Sequence, residues 1–304
     1  MTINSAPYAS FEERKEWITT TASKISREMR IPHPLLVEVK LSEQEVIDLQ
    51  NLALRFIAHS SSISANARAP EILKRLEEAS QFKPDLNAHH LLIPLEQRVS
   101  QILHSMAFHQ STLALEYPVN LRVVHGKPIE GYFKKDYATT NIHSDIWAGE
   151  PADTLQVLIP LMGDVHSTFC QWYETDAENF DLYLSNLATY SSAQTALGDA
   201  RAISHTFEIG TLYFFDSALP HQTIQKGGQL RVSLDFRLRR LFPYADPQWA
   251  PRMHRKRGAY GRYFLFPPEP YPYSSFEQKL DHEIEILEKL GMVKFAELRK
   301  AEYP

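Results

Sequence analysis

Five residues carry the strongest chemical pattern in this 304-residue chain: His143 and Asp145 in NIHSDIW, His221 in ALPHQTI, and Arg231 and Ser233 in QLRVSLDFR. His143 and Asp145 stand two positions apart. On a strand such residues share a face, so an imidazole and a carboxylate are expected to project together, with Trp147 behind them. Taken alone, His-x-Asp is an ordinary hydrogen-bonded pair. His221 closes an apolar run. Beyond it Arg231, Ser233, Asp235 and Arg237 alternate with Val232, Leu234, Phe236 and Leu238. The apolar parity needs a covering layer, expected to be helical, and the polar parity must then line a cavity or face water. An arginine buried without an anion is costly, so an inward Arg231 implies a carboxylate somewhere. A guanidinium fork with a hydroxyl two positions on is a good carboxylate receptor. Read alone, the same parity is also what the wet face of an amphipathic strand shows.

The combination is more specific than its parts. Two imidazoles and one carboxylate on one side of a metal leave positions open, which is the non-haem Fe(II) oxygenase arrangement. Those open positions can take a chelating 2-oxo acid and then O2. The far carboxylate of 2-oxoglutarate needs a cation, and Arg231 is placed to supply it.

With these residues in order, the stretch from about 120 to 241 resembles the Fe(II)/2-oxoglutarate-dependent dioxygenases. HSDIWAG followed by HQTIQKGGQLRVSLDFR is similar to the bacterial phytanoyl-hydroxylase-like and streptomycin-biosynthesis-type oxygenases of small-molecule secondary metabolism. The resemblance implies a double-stranded β-helix core. It implies His143, Asp145 and His221 as catalytic iron ligands, and Arg231 and Ser233 as the anchor for 2-oxoglutarate. Tyr132 and Gln156 stand on segments that usually line the pocket and are weaker cosubstrate candidates. The gap from Asp145 to His221 is longer than the family's common spacing. The excess coincides with a polar, helical-looking insertion at 176–199, expected as a lid over the barrel mouth. Halogenating relatives replace the carboxylate ligand with a small residue. Asp145 is present, which favours hydroxylation of an unactivated C–H, with desaturation or epimerisation as other outcomes.

The elements that must hold these residues fall in a helix–strand–helix order. Charged sequence at 12–30 reads as a surface helix. Ser42 and Glu45 open a helix over 42–58 with a capping-box pattern, and further helices are expected at 71–80 and 95–115. From about 120 the text is β-rich: LRVVHGK, TLQVLIPL, STFCQWYE, ARAISHTF, GTLYFFDS and LRVSLDFRLRRL. Lys226-Gly227-Gly228 reads as a hairpin turn. Residues 242–273 read as irregular chain, and Ser274 and Glu277 open a last helix. This is no alternating βαβ pattern. The expected fold is mainly β with flanking helices, around a jelly-roll or cupin-like double-stranded β-helix. The domains are then a helical region over 1–118, the core over 119–242, and an irregular segment with a C-terminal helix over 243–304.

Composition narrows the partners. The net charge of −5 argues against whole-surface nucleic-acid binding. No apolar run is long enough to span a bilayer. Cys170 is the single cysteine, so neither an internal disulfide nor a cysteine metal site can form. The opening MTINSAPYAS does not read as a secretory signal, and a cytoplasmic location is expected. His89-His90 reads as surface loop. Arg252, Arg255, Lys256, Arg257 and Arg262 form a basic run in an acidic chain. That run is either a solvated face or, through Arg255 and Arg257, an attraction for an anionic substrate. Trp147 is a further substrate-contact candidate, and the substrate is expected to be a small molecule, anionic or carbohydrate-like. Two other readings compete: a cupin-like metal-dependent isomerase or lyase acting on a sugar, and a non-enzymatic jelly-roll binding protein. The first has no need of the Arg231/Ser233 pair, and the intact ligand types count against the second.

Overall fold

The computed structural model describes residues 36–64, 66–79, 82, 84–108, 112–116, 118–127, 138–148, 150, 154–174, 189–193, 197, 200–240, 263–265, 273 and 275–289, with a few positions beyond. The expected helix at 12–30 lies outside them.

Nine strands form two antiparallel sheets among these residues: β1 (Leu36–Lys40), β2 (Thr112–Glu116), β3 (Asn120–Val124), β4 (Thr154–Gly163), β5 (Thr168–Trp172), β6 (Thr211–Asp216), β7 (His221–Gln225), β8 (Arg231–Arg240) and β9 (Tyr263–Leu265). The larger sheet runs β1-β6-β4-β8-β2-β9, with β3 also on β8, and the smaller one pairs β5 with β7. From β4 to β8 consecutive strands alternate between the two sheets, the winding of a double-stranded β-helix. The fold is therefore mainly β, with a jelly-roll, cupin-like core.

The alternation in β8 explains how the layers stack. Val232, Leu234, Phe236 and Leu238 are at most 1% exposed and join the main apolar core. Their partners come from α1 (Glu43–Ser60), α2 (Ala69–Glu78) and α3 (Ile93–Ser105), through Leu49, Phe56, Ile72, Leu95, Val99 and Leu103. A second apolar cluster lies on the sheet's other face, between the two sheets. Leu158 and Phe215 meet Trp172 and Cys170 there, and the Trp172 and Tyr213 rings sit 5.1 Å apart. Burial pushes the Cys170 thiol up to about 12, so it behaves as a small core group.

Local signals set several boundaries. Ser42 Oγ accepts from Glu45 N–H at 3.3 Å, and Glu45 Oε2 accepts from Ser42 N–H at 2.7 Å. That reciprocal cap starts α1 and contributes about 1 kcal/mol. At α4 (Phe276–Lys289), Ser275 Oγ accepts from Gln278 N–H.

Four expectations are corrected. The helix expected to 115 ends at Ser105, where the chain turns at Ala107 with φ of 60°. Thr112–Glu116 then pairs with β8 and β9, so tertiary pairing overrides local propensity. Leu36–Lys40, in a stretch read as helical, is an edge strand on β6. Tyr263–Leu265, read as irregular, is a strand on β2. Finally, Lys226-Gly227-Gly228 joins strands that do not pair with each other. With φ of 88° and 91°, Gly227 and Gly228 carry the chain from the smaller sheet to the larger. A Cβ on Gly126 would lie 2.4 Å from the Gly228 carbonyl oxygen, so glycine is required at that approach.

Candidate metal centre

His143 and His221 meet across an isolated antiparallel bridge, each N–H donating to the other's carbonyl at 2.8 Å. The sequence reading placed His143 and Asp145 on one strand. Instead Asp145 begins a turn of 3-10 helix, Asp145–Ala148. The turn docks on the bend after β6: Asp145 N–H and Ser144 Oγ both donate to the Ser217 carbonyl, at 2.9 and 2.8 Å. The turn carries the carboxylate back beside the imidazoles, so the clustering survives although its cause differs.

One ligand atom from each of His143, Asp145 and His221 lies within 4.8 Å of the other two, and all three residues are buried. His143 Nδ1 lies 2.8 Å from the Asn141 carbonyl, and His221 Nδ1 lies 2.9 Å from the Leu219 carbonyl. A carbonyl only accepts, so each Nδ1 carries the proton and each Nε2 keeps its lone pair free for a metal. Burial, then the neighbouring His221, lowers the His143 pKa to about 3, and burial lowers that of His221 as well. Both rings are thus neutral at neutral pH. The 3.7 Å approach of His143 Nε2 to Asp145 Oδ1 is then no ion pair; it is two donor atoms facing one point. For Asp145, burial acts upward, but the Arg237 guanidinium and the two imidazoles outweigh it and hold the carboxyl well below its usual range. Two neutral nitrogens and a fixed carboxylate fit a divalent transition metal such as Fe(II), with positions left open.

The inner parity of β8 adds two arginines. Arg231 is 1% exposed. Its Nη1 donates to the Thr168 carbonyl at 3.4 Å, and its guanidinium lies 5.1 Å from the centre of the Phe207 ring. Among the described residues no carboxylate pairs with it, and its Nε has no hydrogen-bond partner. Burial, then Arg122, lowers its pKa to about 10, so it remains charged. Ser233 Oγ, on the same face and fully buried, is likewise without a partner. A buried cation and hydroxyl both lacking an anion fit the far carboxylate of a 2-oxo diacid.

Arg237 is the opposite case. Its Nη1 donates to Glu116 Oε2 and Oε1 at 3.1 and 3.3 Å, and its Nη2 to Asp145 Oδ2 at 3.2 Å. Its Nε lies 3.6 Å from Glu150 Oε2, an ion-pair contact too long for a hydrogen bond. Burial acts downward on Arg237, but these carboxylates raise its pKa well above the ordinary value. In sequence Arg237 shares the parity of Arg231 and Ser233 and carries no assigned role. Its strand position was the available signal, but its partners are remote in the chain.

The remaining candidates are distributed as follows. Gln156 is 3% exposed on β4, opposite Arg237 and Phe215 in register, and its Oε1 has no hydrogen-bond partner among the described residues. Trp147 is fully buried in a small cluster with Ala148, Tyr190 and Leu197. Tyr132 lies outside the described residues, as do Arg252, Arg255, Lys256, Arg257 and Arg262. Of the insertion at 176–199, only 189–193 and 197 are described. Tyr190 from that segment stacks on the His143 ring, with centroids 4.3 Å apart and planes at 22°. Sequence reasoning missed this contact, since only the fold brings the insertion to the site.

No known family's sequence profile matches the chain, and no curated protein matches it. Solved structures similar to it include EctD from S. alaskensis with 2-oxoglutarate and 5-hydroxyectoine, at 13% identity over 79% of this chain and 78% of that one, with a TM-score of 0.44. The non-heme alpha ketoglutarate dependent carbocyclase SnoK from nogalamycin biosynthesis is similar at 14% identity over 74% and 85% of the two chains, TM-score 0.43. AviO1 from Streptomyces viridochromogenes Tue57 is similar at 13% identity over 78% and 97%, TM-score 0.39. At such identities the chemistry of the site has to be argued from its own residues.

Proposed function

We propose that this protein is an Fe(II)/2-oxoglutarate-dependent oxygenase. In this reading it hydroxylates an unactivated C–H of a small metabolite and releases succinate and CO2. The observation that carries the reading is the pairing of two features on the inner side of the larger sheet. One is a buried His143–Asp145–His221 cluster. The other is a buried Arg231 with Ser233, neither paired with a carboxylate among the described residues.

Each residue has a defined task. His143 and His221 present Nε2 because the Asn141 and Leu219 carbonyls hold the Nδ1 protons. Asp145 stays ionised beside Arg237. Arg231 and Ser233 orient 2-oxoglutarate through its far carboxylate, so that its 2-oxo acid end meets the triad. The apolar lining of Phe207, Trp172 and Phe215 keeps water away from the chain between these ends. When bound, Fe(II) supplies the redox chemistry that couples decarboxylation of 2-oxoglutarate to C–H oxidation.

A small substrate, anionic or carbohydrate-like, is part of the proposal, with the basic run at 252–262 as the motive for the first. A cupin-like isomerase or lyase would account for the triad and leave Arg231 unexplained.

The test is succinate formation by Fe(II)-loaded protein supplied with 2-oxoglutarate, air and a metabolite panel. Substrate-stimulated succinate, lost in His221→Ala, is the expected outcome. Failure of the Fe(II)-loaded protein to bind or consume 2-oxoglutarate would remove the oxygenase reading and favour an isomerase or lyase.

A further inference from the structure

We propose that Arg237 is a positioning residue that restricts Asp145 to a single metal-facing oxygen. The inference rests on the oxygenase reading above and deepens it.

The two oxygens of Asp145 face different partners. Oδ1 points to the imidazole side, 3.7 Å from His143 Nε2. Oδ2 accepts from Arg237 Nη2 at 3.2 Å. A carboxylate left to itself can grip a divalent ion with both oxygens. Here the second oxygen is already engaged, and the guanidinium that engages it is held from other directions. Glu116, at the end of β2, takes Arg237 Nη1 with both of its oxygens. Glu150, just past the 3-10 turn, lies 3.6 Å from Nε. The Arg237 side chain is only 11% exposed, so water competes little for these contacts. A planar fork anchored from two elements cannot follow a rotation of Asp145, and so it opposes that rotation.

The consequence concerns the number of open metal positions. Three protein ligands giving one atom each leave three positions of an octahedron. A chelating 2-oxo acid uses two, and O2 needs the third. If Asp145 gave both oxygens, one of those positions would be lost. Arg237 therefore acts on cosubstrate binding through Asp145, without touching the cosubstrate itself.

The experiment uses Co(II) in place of iron, so that no turnover occurs, and compares wild type with Arg237→Lys. Lysine keeps the charge but cannot span Asp145 and Glu116 together. The expected result has three parts. Co(II) affinity stays within about threefold, the visible Co(II) spectrum changes as Asp145 takes up a second contact, and 2-oxoglutarate affinity falls about tenfold or more. A merely structural Arg237 would instead give overlaying spectra and unchanged 2-oxoglutarate affinity, and that result overturns the proposal. If Arg237→Lys does not fold, a crystal structure of the Co(II)-loaded wild type decides. One Asp145 oxygen on the metal and the other on Arg237 supports the proposal, and two oxygens on the metal overturns it. Should wild-type Co(II) protein fail to bind 2-oxoglutarate, the oxygenase reading falls, while the spectra and the loaded structure still decide the role of Arg237.

Discussion

Arg231 and Arg237 stand on the same strand and on the same face, Arg231 buried and the Arg237 side chain only 11% exposed. Arg237 has three carboxylates around it, from Glu116, Asp145 and Glu150. Arg231 has a backbone carbonyl, an aromatic face and no carboxylate among the described residues. Their acid–base behaviour diverges accordingly. Carboxylates raise the Arg237 pKa, whereas for Arg231 burial prevails and lowers it to about 10. The difference separates two uses of a buried cation. Arg237 is compensated from within the fold and holds a carboxylate of the site in place. Arg231 is left uncompensated among the described residues, at a cost in stability that a ligand carboxylate can offset.

The largest test of this comparison is Arg237→Met in the metal-free protein. It strips a shared counter-charge from buried carboxylates and should cost about 3–5 kcal/mol, measured by denaturant unfolding. A loss below about 1 kcal/mol would show that the carboxylates do not depend on Arg237.

A smaller effect is expected from acid. Unfolded His143 takes up a proton near pH 6.5, whereas the folded site holds off protonation until about pH 3. Across that window the unfolded state binds more protons, so stability of the metal-free protein falls as pH drops. Between pH 6.5 and 5 the His143 contribution is about 1–2 kcal/mol. Unfolding curves of His143→Asn should therefore show a shallower pH slope than wild type. Arg231→Met should keep the wild-type slope, because Arg231 does not titrate in this range. Equal slopes for His143→Asn and wild type would contradict the assignment.

Much of this site is legible in local sequence, for definite reasons. The alternation in β8 is a period-2 signal. It puts Val232 and Phe236 toward a covering layer and Arg231 and Ser233 on the opposite face, and the covering helices make that opposite face the inner one. The Ser42/Glu45 cap is equally local. What could not be read is pairing at long range. Arg237 meets Glu116 and Asp145 across separations of 121 and 92 residues, and no spacing rule links them. The same limit applies to Lys226-Gly227-Gly228, where turn residues specify a bend and leave open which strands it joins. For β1, five residues of alternation beside a strongly helical neighbour were too little to mark an edge strand. Asp145 reached the metal point by a 3-10 turn where a strand was expected, since either conformation satisfies a two-residue spacing.

The role of Arg231 as the anchor for an external carboxylate is tested most directly by Arg231→Met. Methionine approximates the side-chain volume within the Phe207 and Cys170 surroundings and removes an unpaired buried charge. Thermal melts and calorimetric titration of 2-oxoglutarate, both on metal-loaded protein, should be read together. The predicted result is a ligand-free variant that melts at or above the wild-type temperature, yet binds no 2-oxoglutarate where wild type binds it and gains stability. A variant that binds 2-oxoglutarate as wild type does, or that loses stability on the scale of Arg237→Met, would contradict the claim that Arg231 awaits an external carboxylate.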